Sequence, residues 1–127
     1  MIIGYAYVVG DILHFGHIQH LKNCKALCDK LIVGVLTDEA CMEKKSKPAI
    51  SFKERLELIG ELKCVDAVVT QEKYSANENM LAIKPDILFE STSHKNPVEN
   101  LAGKTIIMPY FPLQSSTKIK EKIRDKS

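Results

Sequence analysis

The chain has 127 residues, 45% of them apolar, enough for one core of ordinary domain size. Lys and Arg number 18 against 16 Asp and Glu, and the formal charge of +2 is too balanced for a general nucleic-acid binder, whose surface carries a strong basic excess. No apolar run approaches the roughly 20 residues that span a bilayer, and Met1-Ile2-Ile3-Gly4-Tyr5 lacks a basic leader region. The expectation is a cytoplasmic protein with no signal peptide and no membrane or nucleic-acid partner, a single domain over residues 1–127. Its four cysteines (Cys24, Cys28, Cys41, Cys64) are read as free thiols.

In chain order, Ile2–Val9 is β-branched and aromatic without polar alternation, which predicts a strand buried on both faces. Gly16–Asp29 predicts a helix with Ile18, Leu21, Cys24 and Cys28 on its apolar stripe. Leu31–Leu36 is a second buried strand, and the acidic pair Asp38-Glu39 after Thr37 suits the start of a short helix. A basic loop, Lys44–Ile50, follows. Ser51 and Glu54 have capping-box spacing and open a helix to about residue 62. Val65–Val69 is a third strand. Ser75 and Glu78 repeat the capping pattern for a helix through Ile83, which Pro85 stops. Asp86–Phe89 and Lys104–Met108 are strands four and five, and Ser115-Ser116-Thr117 caps a last helix to about Asp125.

Strands alternating with helices predict an α/β, doubly wound, mainly parallel five-stranded sheet. Right-handed crossovers bring the loops that follow the strands to one edge, where such sheets bind ligands. The loop after the first strand reads Gly10-Asp11-Ile12-Leu13-His14-Phe15-Gly16-His17. It feeds a helix start, whose unpaired amides and dipole favour an anion. Gly16 permits close backbone approach, and His14 and His17 become neighbours once the helix begins. This is read as a phosphate-handling loop. A zinc site from His14, His17, His20 and Cys24 is disfavoured, because these positions run down a helix instead of surrounding a point. His20 reads as helix surface.

His14-Phe15-Gly16-His17 resembles the HxGH signature of the nucleotidyltransferase superfamily. Its flanks, Asp11 to Ile18, are most similar to the cytidylyltransferase branch, including enzymes that act on glycerol 3-phosphate and on phosphonates. Val33–Glu39, Lys44, Arg55, Val65-Asp66 and Ser115-Ser116-Thr117-Lys118-Ile119-Lys120 fall at matching places over nearly the full length. The resemblance implies a Rossmann-like nucleotidyltransferase fold and cytidylyl transfer from CTP to a small phosphate- or phosphonate-bearing acceptor, with release of pyrophosphate. It also implies a Mg²⁺ carried on the nucleotide phosphates and a homodimer. His14 and His17 would donate to the triphosphate, Lys44 would face the acceptor's anion, and Arg55 would contact phosphate. Val8, Val9, Gly10, Asp11, Gly16, Lys63, Ser115, Ser116 and Thr117 would border the nucleotide. Adenylyl transfer from ATP to a cofactor precursor, and a nucleotide-binding module without catalysis, are the alternatives.

Each assignment has a plainer counterpart: a solvated basic loop for Lys44, helix surface for Arg55, an N-cap for Ser115–Thr117. The sequence also departs from the family pattern. Val8-Val9-Gly10-Asp11 replaces Gly-x-Phe-Asp, Ser91-Thr92-Ser93 replaces a glycine–aspartate pair, Tyr110-Phe111 replaces an arginine–threonine pair, and Lys63 replaces an arginine. Lysine keeps the charge but not the two-pronged geometry.

Overall fold

The computed structural model describes residues 1–91 and 104–108. Its elements in order are β1 (Ile3–Val8), α1 (Phe15–Lys25), β2 (Lys30–Leu36), α2 (Asp38–Met42), α3 (Phe52–Gly60), β3 (Ala67–Gln71), α4 (Asn77–Ile83), β4 (Ile87–Ser91) and β5 (Lys104–Met108). The strands form one sheet in the order β3-β2-β1-β4-β5, and every neighbouring pair is parallel. The order reverses between β1 and β4, which makes their carboxyl ends the switch point of the sheet. The helix expected at Ser115–Thr117 lies outside the described residues. No helix among the described residues is long and apolar enough to cross a membrane.

The two-residue period of the strands divides the core in two. One face carries Ala6, Val8, Leu31, Val33, Val35, Ile87 and Phe89 against Leu21 and Cys24 of α1 and Ile59 of α3. The other carries Tyr5, Tyr7, Leu36 and Leu88 against Ala40 of α2 and Met80 of α4. The chain therefore passes from one face to the other between α2 and α3, and it does so beside the loop after β1, as the bonds to Asp11 described below show.

Three element ends differ from the sequence reading. α1 stops at Lys25 because the amides of Leu27 and Cys28 turn back to the carbonyls of Cys24 and Lys25, a tightened last turn that ends the ladder. β3 begins at Ala67, since Val65 is a buried plug in the preceding turn and pairing with β2 starts only at Ala67 opposite Ile32. Ser75 is not the cap of α4. Its hydroxyl accepts from the Asn77 amide, and Ala76 holds the cap position without a side-chain bond. The caps of α2 and α3 are as expected: Thr37 accepts from the Ala40 amide, and Ser51 accepts from the Glu54 amide while donating to the Glu54 carboxylate.

Candidate active site

β1 ends at Val8, and the chain needs a sharp exit before α1. Gly10 supplies it with φ +74°, a conformation that a side chain disfavours, and Ile12 follows at φ +50°. Strain of this kind persists only where the surroundings enforce it. Asp11 does so from between them. Its carboxylate is buried and accepts from the amides of Ala49 (3.0 Å) and Ile50 (2.9 Å), fastening this loop to the segment that leads into α3.

His14 is the N-cap of α1, and its Nδ1 accepts from the Gly16 amide at 3.0 Å. His17, three residues on, accepts the His14 amide on its own Nδ1 at 3.3 Å. The ring centroids are 4.0 Å apart and tilted by 34°. These bonds settle the tautomers. A neutral imidazole whose Nδ1 accepts carries its proton on Nε2, so both rings present an Nε2–H donor. The His14 Nε2 is buried and has no hydrogen-bond partner among the described residues. Burial lowers the pKa of His14. Burial first, then the nearby charges of His14, His20 and Lys45, lower that of His17 to about 4. Both rings are thus neutral donors at pH 7. Gly16 is buried between them.

Arg55 is fully buried, which excludes the plainer counterpart of a helix-surface residue. Its Nη1 donates to the carbonyls of Val9 (2.6 Å) and Leu36 (2.7 Å), its Nε to that of Ile50 (3.0 Å), and its Nη2 to Asp38 Oδ1 (2.6 Å). It ties the carboxyl ends of β1 and β2 to the starts of α2 and α3. The guanidinium lies beneath the loop, where three backbone carbonyls converge and need a donor. Val8 ends β1 on the α1 face, and Val9 accepts from Arg55, so both border the loop through the backbone.

Lys44 is exposed in the turn after α2. Its neighbour Lys45, which the sequence did not single out, is the lysine whose charge reaches His17. Lys63 stands in the turn before β3. In a parallel sheet that turn lies at the amino edge, so within one chain Lys63 is separated from the histidines by the length of the sheet. Ser115, Ser116 and Thr117 lie outside the described residues. His20 is part-buried, with Nε2 3.9 Å from Cys24 Sγ.

Across the switch point from the histidines, Glu90 of β4 is 4% exposed. Its Oε1 accepts from the Tyr7 hydroxyl, and its Oε2 is buried without a hydrogen-bond partner among the described residues. Among the described residues no three His, Cys, Asp or Glu side chains are grouped to enclose a metal ion. Both Asp11 oxygens already accept from amides.

The geometry agrees with comparisons to known proteins. The sequence profile of the family described as cytidylyltransferase-like matches residues 10–122. The bifunctional protein HldE of Helicobacter pylori is 36% identical over 119 residues, covering 90% of this chain and 26% of that protein. HldE of Syntrophotalea carbinolica is 31% identical over 125 residues, covering 91% and 26%. The chain thus spans about a quarter of the length of these curated relatives. A crystal structure of the lipopolysaccharide core biosynthesis protein from Thermoplasma volcanium superposes with a TM-score of 0.75 at 33% identity, covering 87% of this chain and 97% of that one. A pantoate–β-alanine ligase from Francisella tularensis, at 16% identity and a TM-score of 0.59 over 98% of this chain and 69% of its own, shares the fold.

Proposed function

Because the chain belongs to the cytidylyltransferase-like family of nucleotidyltransferases, we propose that it joins an anionic oxygen of a small phosphorylated acceptor to the α-phosphorus of a Mg²⁺–nucleoside triphosphate. One P–O bond forms, the bond to the β-phosphate breaks, and pyrophosphate leaves. The nucleophile is already an anion, so no strong general base is needed. Catalysis is then alignment and neutralisation of charge at phosphorus. The first turn of α1 supplies its amides and dipole. The Nε2–H groups of His14 and His17 donate to the phosphate oxygens as charge builds, and Lys45 or Lys44 adds a mobile cation from the crossing segment. Arg55 and Asp11 act through position, holding that segment against the loop.

The observation that carries this reading is the pair of imidazoles whose Nδ1 atoms are both occupied by backbone amides, which leaves both Nε2–H groups as donors, that of His14 buried and unpartnered among the described residues. CTP is the donor supported by the family profile and by the motif around His14. ATP is the second reading. It is favoured by kinship with HldE and with a lipopolysaccharide core protein, neither described as a cytidylyltransferase, and that kinship also favours a sugar phosphate as acceptor. The homodimer implied by the resemblance is carried in this proposal and is checked by sedimentation.

The test is pyrophosphate release from each of the four nucleoside triphosphates with Mg²⁺ and a panel of sugar and polyol phosphates. One donor should dominate by tenfold or more. His14→Ala and His17→Ala should each lower turnover by about 10²–10³ while the circular dichroism spectrum is kept. Release at the native rate in either variant removes the role assigned to the histidines.

A further inference from the structure

A buried carboxylate oxygen with no donor forfeits its hydration without compensation, so natural folds rarely keep one without a use for it. Glu90 keeps one, unpartnered among the described residues, at the carboxyl end of β4, beside β1, where the sheet changes direction. Its other oxygen is committed to Tyr7, which belongs to the sheet face packed by α2 and α4. The pKa of Tyr74, in the segment before α4, is raised by burial first, then by Cys41 and by the charge of Glu90. On this side of the sheet the acid is therefore held by the Tyr7 phenol at the carboxyl ends of β1 and β4. The histidines stand on the opposite side, where α1 covers the other face.

We infer that Glu90, held by Tyr7 at the floor of the crevice between β1 and β4, recognises a hydroxyl group of the acceptor, so that the acceptor is a polyol phosphate rather than a bare phosphate or an amine. The inference rests on the proposed nucleotidyl transfer and adds the direction of substrate entry. Attacking and leaving oxygens lie roughly in line through phosphorus. With the leaving pyrophosphate drawn to the start of α1 on one face, the acceptor approaches from the other, and there it meets Glu90. A hydroxyl also suits the acid's proton balance. Burial raises the Glu90 pKa, and a hydroxyl satisfies Oε2 in either state, donating to the ionised oxygen or accepting from the protonated one. An ammonium group meets only the first state and a phosphate only the second.

The probes are glycerol 3-phosphate, mannose 1-phosphate and hydroxyl-free methyl phosphate, titrated calorimetrically into protein saturated with the α,β-methylene analogue of its preferred nucleotide. Native protein should bind the two polyol phosphates at least about tenfold more tightly than methyl phosphate, the value of one hydrogen bond to a charged group. Glu90→Met abolishes that preference. Should Glu90→Met alone fail to fold, Tyr7→Phe with Glu90→Met removes both partners of the buried bond together and should leave urea stability near native while the preference is lost. A preference that survives in the folded variant overturns the assignment. So does a variant that keeps it but loses discrimination between ribonucleotide and 2′- or 3′-deoxynucleotide, since Glu90 then reads the donor's ribose. Absence of nucleotide binding by the native protein removes the functional reading itself. Nucleotide binding without any polyol preference removes only this inference.

Discussion

At the scale of single residues, the histidine pair is a reciprocal capping device. His17 gives its Nδ1 lone pair to the His14 amide, and protonation would withdraw that lone pair and leave the amide unmet. The linkage has a definite sign. The folded-state pKa of about 4 lies below the ordinary value of 6.5, so between these limits the unfolded chain binds a proton that the folded chain refuses. Stability from this group is complete above pH 6.5 and is lost as pH falls toward 4. His14 and His20 shift in the same direction, and the raised Glu90 carboxyl opposes them. Urea unfolding between pH 7 and pH 4.5 should show the midpoint falling with acid. His17→Gln should flatten that slope by on the order of 2 kcal/mol over the range, allowing for a partly solvated ring. An unchanged slope would place the ring outside the cap. The two histidines and Gly16 are legible in sequence because their spacing is local. Lys45 is not, since nothing in Lys44-Lys45 distinguishes which charge reaches His17.

At the scale of elements, strands were the most legible because a parallel strand covered on both faces is an unbroken apolar run. Boundaries set by side-chain competition were less so: Ser75 satisfies a nearby amide in a turn instead of capping α4. One element depends on a missing side chain. Gly34 in β2 lies under Tyr5 of β1, and a Cβ there would sit 1.9 Å from the Tyr5 hydroxyl oxygen and 2.9 Å from Gln71 Oε1. Those two groups bond each other across the sheet, and Asn79 of α4 donates to the same hydroxyl. Gly34→Ala should therefore destabilise by about 2–3 kcal/mol, as overpacking of a filled core does. In a Tyr5→Phe background the penalty should fall by about 1 kcal/mol, because the nearest atom has gone. Strict additivity in denaturant melts would show that the hydroxyl is not the obstacle.

At the scale of the whole molecule, Arg55 joins what the topology merely brings near. From the start of α3 it holds β1, β2, α2 and the crossing segment with four hydrogen bonds. Arg55→Ala should cost about 3–5 kcal/mol, the loss expected when a buried, multiply bonded cation leaves its partners unmet. Arg55→Lys should recover only part of this, because an ammonium group cannot reproduce the planar fork. Chemical denaturation with nucleotide present and absent checks both, and nucleotide affinity should fall along with stability. The sequence shows Arg55 beside a capping glutamate, which resembles helix surface. Its burial is set by carbonyls 46 and 19 residues away in the chain. The same holds for Tyr7 and Glu90, 83 residues apart. Long-range pairs of this kind leave no periodic trace, whereas the sheet, its parallel sense and the edge at which its loops gather follow from alternation and handedness alone.

The bonds from Ala49 and Ile50 to Asp11 have a practical consequence for redesign. Two stretches distant in sequence share one anchor, so neither is an interchangeable part. A chimera that imports the 9–14 turn from a relative with another donor preference must import 47–51 with it. Otherwise the strained backbone at Ile12 loses its restraint, and the histidines lose their aim.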